Sequence, residues 1–199
     1  MSTLYVTDLD GTLLDRNAQL SAETVRILNP LLDAGLPLTV ATARSPATAI
    51  ELLRPLHLSL PVVLMTGTLL YDLQKTRTLK TRSLSANAVG AICTVLENAQ
   101  QESMAYCVKN GHIYVYYNEF ACDFERSFVA TRVHSPYKTF VRTASTRTAV
   151  ADGETMMFLI CLPDIPTAVT LYRTFCDIPE IVCYYYADEY GSGGSILEI

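Results

Sequence analysis

Asp8-Leu9-Asp10-Gly11-Thr12-Leu13-Leu14 opens directly behind the apolar run Leu4-Tyr5-Val6-Thr7. The run is short, rich in β-formers and ends in a carboxylate. It reads as a buried strand with a polar residue at its carboxyl end. In an extended chain, residues two apart point the same way, so Asp8 and Asp10 start on one side. Gly11 permits a sharp turn and close backbone approach. Working outward, Ser21 is a good N-cap for a helix over about 22–34. Val25, Leu28 and Leu32 share a face of it, Gly35 is its stop, and Pro30 should kink or weaken it. Residues 36–41 form a second strand. Ser45-Pro46 opens a helix that Pro55 ends, and residues 61–65 form a third strand, stopped by Thr66-Gly67. Strands alternate with helices and are apolar almost throughout, not every second residue. That pattern fits a parallel, doubly wound α/β sheet covered on both faces.

Beyond about residue 80 the character changes. A helix over 86–100 places Val89, Ile92, Val95, Leu96 and Ala99 at helical spacing. Residues 105–109 and 112–117 flank Asn110-Gly111, the strongest short hairpin signal. Residues 156–162 read as a strand, 167–176 as a helix, and 181–187 and 195–199 as two strands joined by a flexible loop holding Gly191-Ser192-Gly193-Gly194. This is an α+β pattern. Charge shifts in the same place: residues 1–80 carry seven basic and seven acidic side chains, so residues 81–199 supply the whole net charge of −5.

The chain of 199 residues is half hydrophobic. It can bury a core without disulfides and is not a disordered chain. A net charge of −5 argues against a general nucleic-acid binder. No signal peptide and no run of about 18 apolar residues is visible, so a soluble, cytoplasmic protein with no membrane association is expected. The six cysteines form no CxxC pair and read as buried free thiols.

The chemistry sits at the strand ends. Asp8 and Asp10 lie where open α/β sheets place their sites. Of two nearby carboxylates, one can stay ionised, hold a divalent cation and attack phosphorus, while the other carries a proton. A pair of acids in a loop is also an ordinary solvated turn. The preceding apolar strand, the following Gly-Thr and a second hydroxyl-bearing strand end favour the chemical reading. That second end is Thr39-Val40-Ala41-Thr42-Ala43-Arg44-Ser45. There the Thr42 hydroxyl and the Arg44 guanidinium suit a phosphate, beside a helix N-terminus. The plainer alternative makes Ser45 a cap and Arg44 a surface charge.

These residues resemble the haloacid dehalogenase superfamily. Asp8-Leu9-Asp10-Gly11-Thr12-Leu13-Leu14 is similar to its first motif. Ala41-Thr42-Ala43-Arg44 is similar to the second motif of its Cof-type branch, subfamily IIB. Residues 61–72 resemble that branch's third strand and following hairpin, and Ile196-Leu197-Glu198-Ile199 resembles the strand returning from cap to core. The resemblance implies a Rossmann-like core over residues 1–80 and 191–199, with an inserted α+β cap of the C2B type over 81–190. It implies Asp8 as nucleophile and Mg²⁺ ligand. Asp10 would be the general acid/base, with its backbone carbonyl on the metal. Thr42 would hold the phosphoryl group, helped by backbone N–H groups near Leu9 and Gly11. The implied reaction is Mg²⁺-dependent hydrolysis of small phosphorylated metabolites: sugar phosphates, nucleotides or phosphorylated cofactors. The oligomeric state stays open.

Departures matter too. Ala43 replaces the family's usual Gly. Thr66-Gly67-Thr68 replaces Asn-Gly-Ala, whose Asn lies near the family's substrate entrance, so the resemblance puts Thr66 and Gly67 at that entrance with altered contacts. The family pattern continues with a Lys and a Gly-Asp-x-x-Asn-Asp stretch on a fourth core strand, neither of which follows here. Without that strand, the strand carrying Asp8 is expected to be an exposed apolar edge. Two explanations stand: a piece of a longer enzyme, or a naturally short, catalytically weak relative that serves as a binding module. Other chemistries fit less well. No Cys is followed by Arg six residues later, as a cysteine phosphatase would need. The third strand ends without the acceptor Asp of a receiver domain. The run Arg126–Arg147, five basic residues with His134 and no acid, reads as a solvated face. Tyr184-Tyr185-Tyr186 reads as strand packing.

Overall fold

A computed structural model describes residues 3–120, 122–151, 154–187 and 193–199. The chain divides into two compact units, Met1–Arg82 and Ser83–Ile199.

In the first unit, β1 (Tyr5–Thr7) pairs in parallel with β2 (Leu38–Val40), Val6 opposite Thr39. The parallel arrangement extends through an Ala41–Val63 bridge to β3 (Val62–Leu64). A hairpin follows: β4 (Leu69–Asp72) and β5 (Arg77–Thr81) continue antiparallel from β3. The crossovers are α1 (Ala22–Asp33) and α2 (Pro46–Leu53). Ser21 caps α1 by accepting from the Thr24 N–H at 3.0 Å. Pro30 is carried inside the helix, and Gly35 ends it at φ +91°. Ser45 takes the N-cap position of α2 without a side-chain cap bond. Its carbonyl alone accepts, from the Thr48 and Ala49 N–H groups.

Tyr5 and Val6 are 52 % and 57 % exposed. Burial on both faces does not describe β1 among the described residues. Among the described residues it pairs with β2 alone, so one side of its ladder and much of its side-chain surface face solvent. In contrast, Val40, Val62 and Leu64 on the inner strands are fully buried.

The second unit is a six-stranded sheet packed with helices. Its helices are α3 (Ala86–Asn98), α4 (Asp123–Ala130), α5 (Thr146–Val150) and α6 (Ile165–Cys176). Its strands are β6 (Met104–Lys109), β7 (His112–Tyr117), β8 (Lys138–Arg142), β9 (Glu154–Leu162), β10 (Tyr184–Ala187) and β11 (Ser195–Glu198), in the order β10-β11-β9-β6-β7-β8. The β6–β7 hairpin turns at Asn110 and Gly111, both at positive φ, as that dipeptide favours. Phe158, Ile160 and Leu197 of the sheet form one core with Ile92 of α3 and Ala168 and Phe175 of α6.

The carboxyl-terminal strand clusters with the second unit. The family resemblance assigns residues 191–199 to the core with 1–80; residues 191 and 192 lie outside the described residues, and β11 belongs to the second unit. Leu197 pairs with Ile160 and with Tyr185. Ile199 exchanges two backbone bonds with Phe158, at 2.9 and 3.0 Å. An apolar strand inserted between two antiparallel neighbours satisfies both edges of its backbone at once, and burial of Leu197 and Ile199 adds to that. Gly194 is not a free hinge either. A Cβ there would stand 2.7 Å from the Phe124 ring and 3.1 Å from the Leu162 carbonyl.

Candidate active site

The site is built from three strand ends of the first unit. Ala41 N–H donates to the Thr7 carbonyl at 2.9 Å, which sets the end of β2 against the end of β1. Thr42 N–H donates to the Val63 carbonyl at 3.0 Å, which ties it to β3. The loops beyond are stitched as well: Met65 N–H donates to the Arg44 carbonyl (3.1 Å) and Thr66 N–H to the Thr42 carbonyl (3.3 Å). Parallel pairing thus brings the segments at 8–11, 42–45 and 65–67 to the carboxyl ends of adjoining strands, where open α/β sheets place their sites.

The chain leaves β1 through a tight loop over 9–13, closed by the Leu14 N–H donating to the Leu9 carbonyl at 2.9 Å. Leu9 is fully buried and anchors the loop. Asp10 is extended at φ −71°, ψ 128°, and Gly11 turns at φ +69°. Space around Gly11 is open, so the glycine is needed for its left-handed backbone and not for a close approach.

Asp8 is exposed at the head of this loop. Its Oδ1 accepts the Leu9 N–H at 2.6 Å. The Leu9 amide, expected to hold phosphate, is therefore engaged by the neighbouring carboxylate. Among the described residues no cation pairs with Asp8. Asp10 is held differently: Arg44 Nε donates to its Oδ2 at 2.8 Å and Arg44 Nη2 to its Oδ1 at 2.7 Å. This two-point grip holds the Asp10 carboxyl below the usual range, chiefly through the hydrogen bonds, against the opposing effect of partial burial. Thr42 is buried. Its Oγ1 accepts the Arg44 N–H at 3.2 Å, leaving the hydroxyl proton to donate. Thr66 and Gly67 are exposed beyond β3, with Thr66 at φ 52°.

The structure therefore gathers Asp8, Asp10, Thr42, Arg44 and Thr66 in one unit. Sequence reasoning does not anticipate the Asp10–Arg44 pair. Its signal is the position of Arg44 just past the end of a strand adjacent to the one carrying Asp10. The basic run of the second unit does not form one anionic-ligand face. Arg126, Arg142 and Arg147 pair with Asp123, Glu119 and Glu97. Lys138 is buried over the rings of Tyr106 and Phe140.

The donors available to a cation are hard oxygens at an exposed loop, which fits Mg²⁺. Among the described residues no group of three His, Cys, Asp or Glu side chains could hold a metal. The Asp8 carboxylate and main-chain oxygens of the loop are the donors that this segment could offer a cation. No helix among the described residues is long and apolar enough to cross a membrane.

A Mycoplasma pneumoniae protein named "Putative phosphatase" is 30% identical over 102 residues, 51% of this chain and 36% of that protein. The matched stretch thus spans little more than a third of that relative. A haloacid dehalogenase-like hydrolase from Bacteroides thetaiotaomicron superposes with a TM-score of 0.70 at 15% identity, over 99% of this chain and 71% of its own. A HAD subclass IIB sugar phosphatase superposes with a TM-score of 0.63 at 14% identity, over 99% and 69%. At such identities these two speak for the fold, a mixed α/β architecture with parallel strands. The family model for haloacid dehalogenase-like hydrolases matches residues 5–184, and the chain belongs to that family.

Proposed function

We propose that this chain carries the nucleophile, the proton carrier and the phosphate donors of a Mg²⁺-dependent phosphohydrolase acting on small phosphorylated metabolites. The observation that supports it best is the convergence of Asp8, Asp10, Thr42 and Arg44 at adjoining ends of β1 and β2. In this reading the second unit is a cap that selects the ester, and sugar phosphates are a fitting first panel.

Asp8, with no cation partner among the described residues, is the carboxylate that attacks phosphorus and forms an aspartyl-phosphate. Asp10 serves as acid toward the leaving oxygen and then as base toward water. The Thr42 hydroxyl donates to a phosphoryl oxygen. Bound Mg²⁺, held by the Asp8 carboxylate and the Asp10 carbonyl, would offset charge on the transferring group. Arg44 links binding to proton transfer. An arriving phosphate competes for its guanidinium, and loosening that grip lets the Asp10 carboxyl rise toward its ordinary value.

The test is phosphate release from p-nitrophenyl phosphate and a sugar-phosphate panel with Mg²⁺, comparing this chain with Asp8→Asn. The expected result is release that depends on Asp8. Equal rates would overturn the catalytic reading. The Asp10–Arg44 pair also favours a second reading, a phosphate-binding module, because an Asp10 held ionised is a poor acid. Binding of a phosphate ester without turnover would support that one.

A further inference from the structure

We propose that Cys176 and Cys183 form a dithiol that hydrogen peroxide closes to a disulfide, tying the carboxyl end of α6 to the segment leading into β10. Their sulfurs lie 4.0 Å apart. Cys176 is exposed and Cys183 buried. A disulfide needs about 2.05 Å between sulfurs, so closure takes an approach of about 2 Å, within reach of a side-chain rotation at the exposed residue.

The surroundings suit this chemistry. Tyr172 stands one helical turn before Cys176, and its ring meets Tyr185 edge-on at 5.0 Å. Burial and the neighbouring Cys176 push the Cys183 thiol up to about 11. Cys176 is thus the thiol that peroxide meets first, and Cys183 the protonated partner behind it. In the first step the Cys176 thiolate displaces hydroxide from hydrogen peroxide and becomes the sulfenic acid. In the second, the Cys183 sulfur attacks the Cys176 sulfur, and the hydroxyl leaves with the Cys183 proton as water. Two thiols are oxidised and one peroxide is reduced to two waters.

The closed loop would contain Glu180, whose Oε2 accepts from Ser85 Oγ at 3.0 Å. Ser85 in turn caps α3, accepting the Ala88 N–H at 3.1 Å. The disulfide would therefore restrain the segment that holds the start of α3, just past the boundary at Arg82 and Ser83.

The test treats the reduced full chain with a small molar excess of hydrogen peroxide, followed by alkylation, intact mass and peptide mapping. Wild type is expected to lose two hydrogens in mass, to yield a Cys176–Cys183 linked peptide, and to melt about 5 °C higher. Cys183→Ser should instead gain oxygen at Cys176, and Cys176→Ser should leave Cys183 alkylatable. Three results would overturn the proposal: oxygen added at wild-type Cys176 with Cys183 still alkylatable, a disulfide between two chains, or a melting point that does not rise. The wild-type map decides the matter even where a variant fails to fold.

Discussion

Arg44 grips both oxygens of the Asp10 carboxylate, at 2.8 and 2.7 Å, across 34 residues of sequence. Two parallel N–H···O bonds from one guanidinium fix geometry as well as charge. The pair is asymmetric in exposure, with the Arg44 side chain at 17% and Asp10 at 45%, so its contribution to stability is small. Its consequence is for proton transfer. With its folded value depressed, Asp10 favours the fold above the ordinary carboxylate range, and that contribution is lost as pH falls through the lower folded value.

Arg44→Ala is expected to raise the Asp10 carboxyl toward its ordinary value. Carbon NMR of the labelled aspartate carboxyl, followed through acid pH, measures this directly. An unmoved Asp10 titration would mean that the pairing seen here does not persist in solution.

Lys138 makes the opposite kind of test. It is buried, and burial with the nearby Arg132 charge pulls it down from 10.5 to about 8. The unfolded chain therefore holds more protons between those values, so stability rises with pH across about 8 to 10.5. Lys138→Met should stabilise the second unit by up to about 3 kcal/mol at pH 7. The gain should shrink as pH approaches 10, in urea titrations at each pH.

The place of β11 predicts a contrast between two strands. Leu197 is fully buried in the sheet between β9 and β10, so Leu197→Ala should cost about 2–5 kcal/mol. Val6 on the exposed β1 should tolerate Ala within roughly 0.5 kcal/mol. Similar losses at both positions, by denaturant unfolding, would contradict the sheet order.

Gly194→Ala should destabilise by about 1–3 kcal/mol, because a methyl group there meets the Phe124 ring and the Leu162 carbonyl. Phe124→Leu should relieve part of that cost. A Gly194→Ala variant with unchanged melting would show that this stretch yields freely.

Much of the fold is legible in the residues themselves. Ser21 and Gly35 mark the ends of α1, Asn110-Gly111 marks the β6–β7 turn, and continuous apolar runs mark the parallel strands. Each is a local signal, carried by capping geometry, positive φ or periodicity. The elements that sequence reasoning misses are short or polar: the strands β5 and β8, the eight-residue α4 and the five-residue α5. In α4, the spacing of Phe124, Phe128 and Val129 is a usable signal.

Residue order by itself determined that Asp8, Asp10 and Thr42 stand at the ends of parallel strands, because two-residue alternation and strand–helix alternation are properties of the chain alone. It could not determine which sheet takes Ile196-Leu197-Glu198. An apolar run announces a buried strand but not its neighbours, and pairing energy depends on which backbone edges lie open nearby. Nor could it show that Arg44 holds Asp10 in place of a phosphate. Only the parallel register of β1 against β2 brings those two groups within hydrogen-bond reach, and it is this contact that holds the Asp10 carboxyl below its ordinary value.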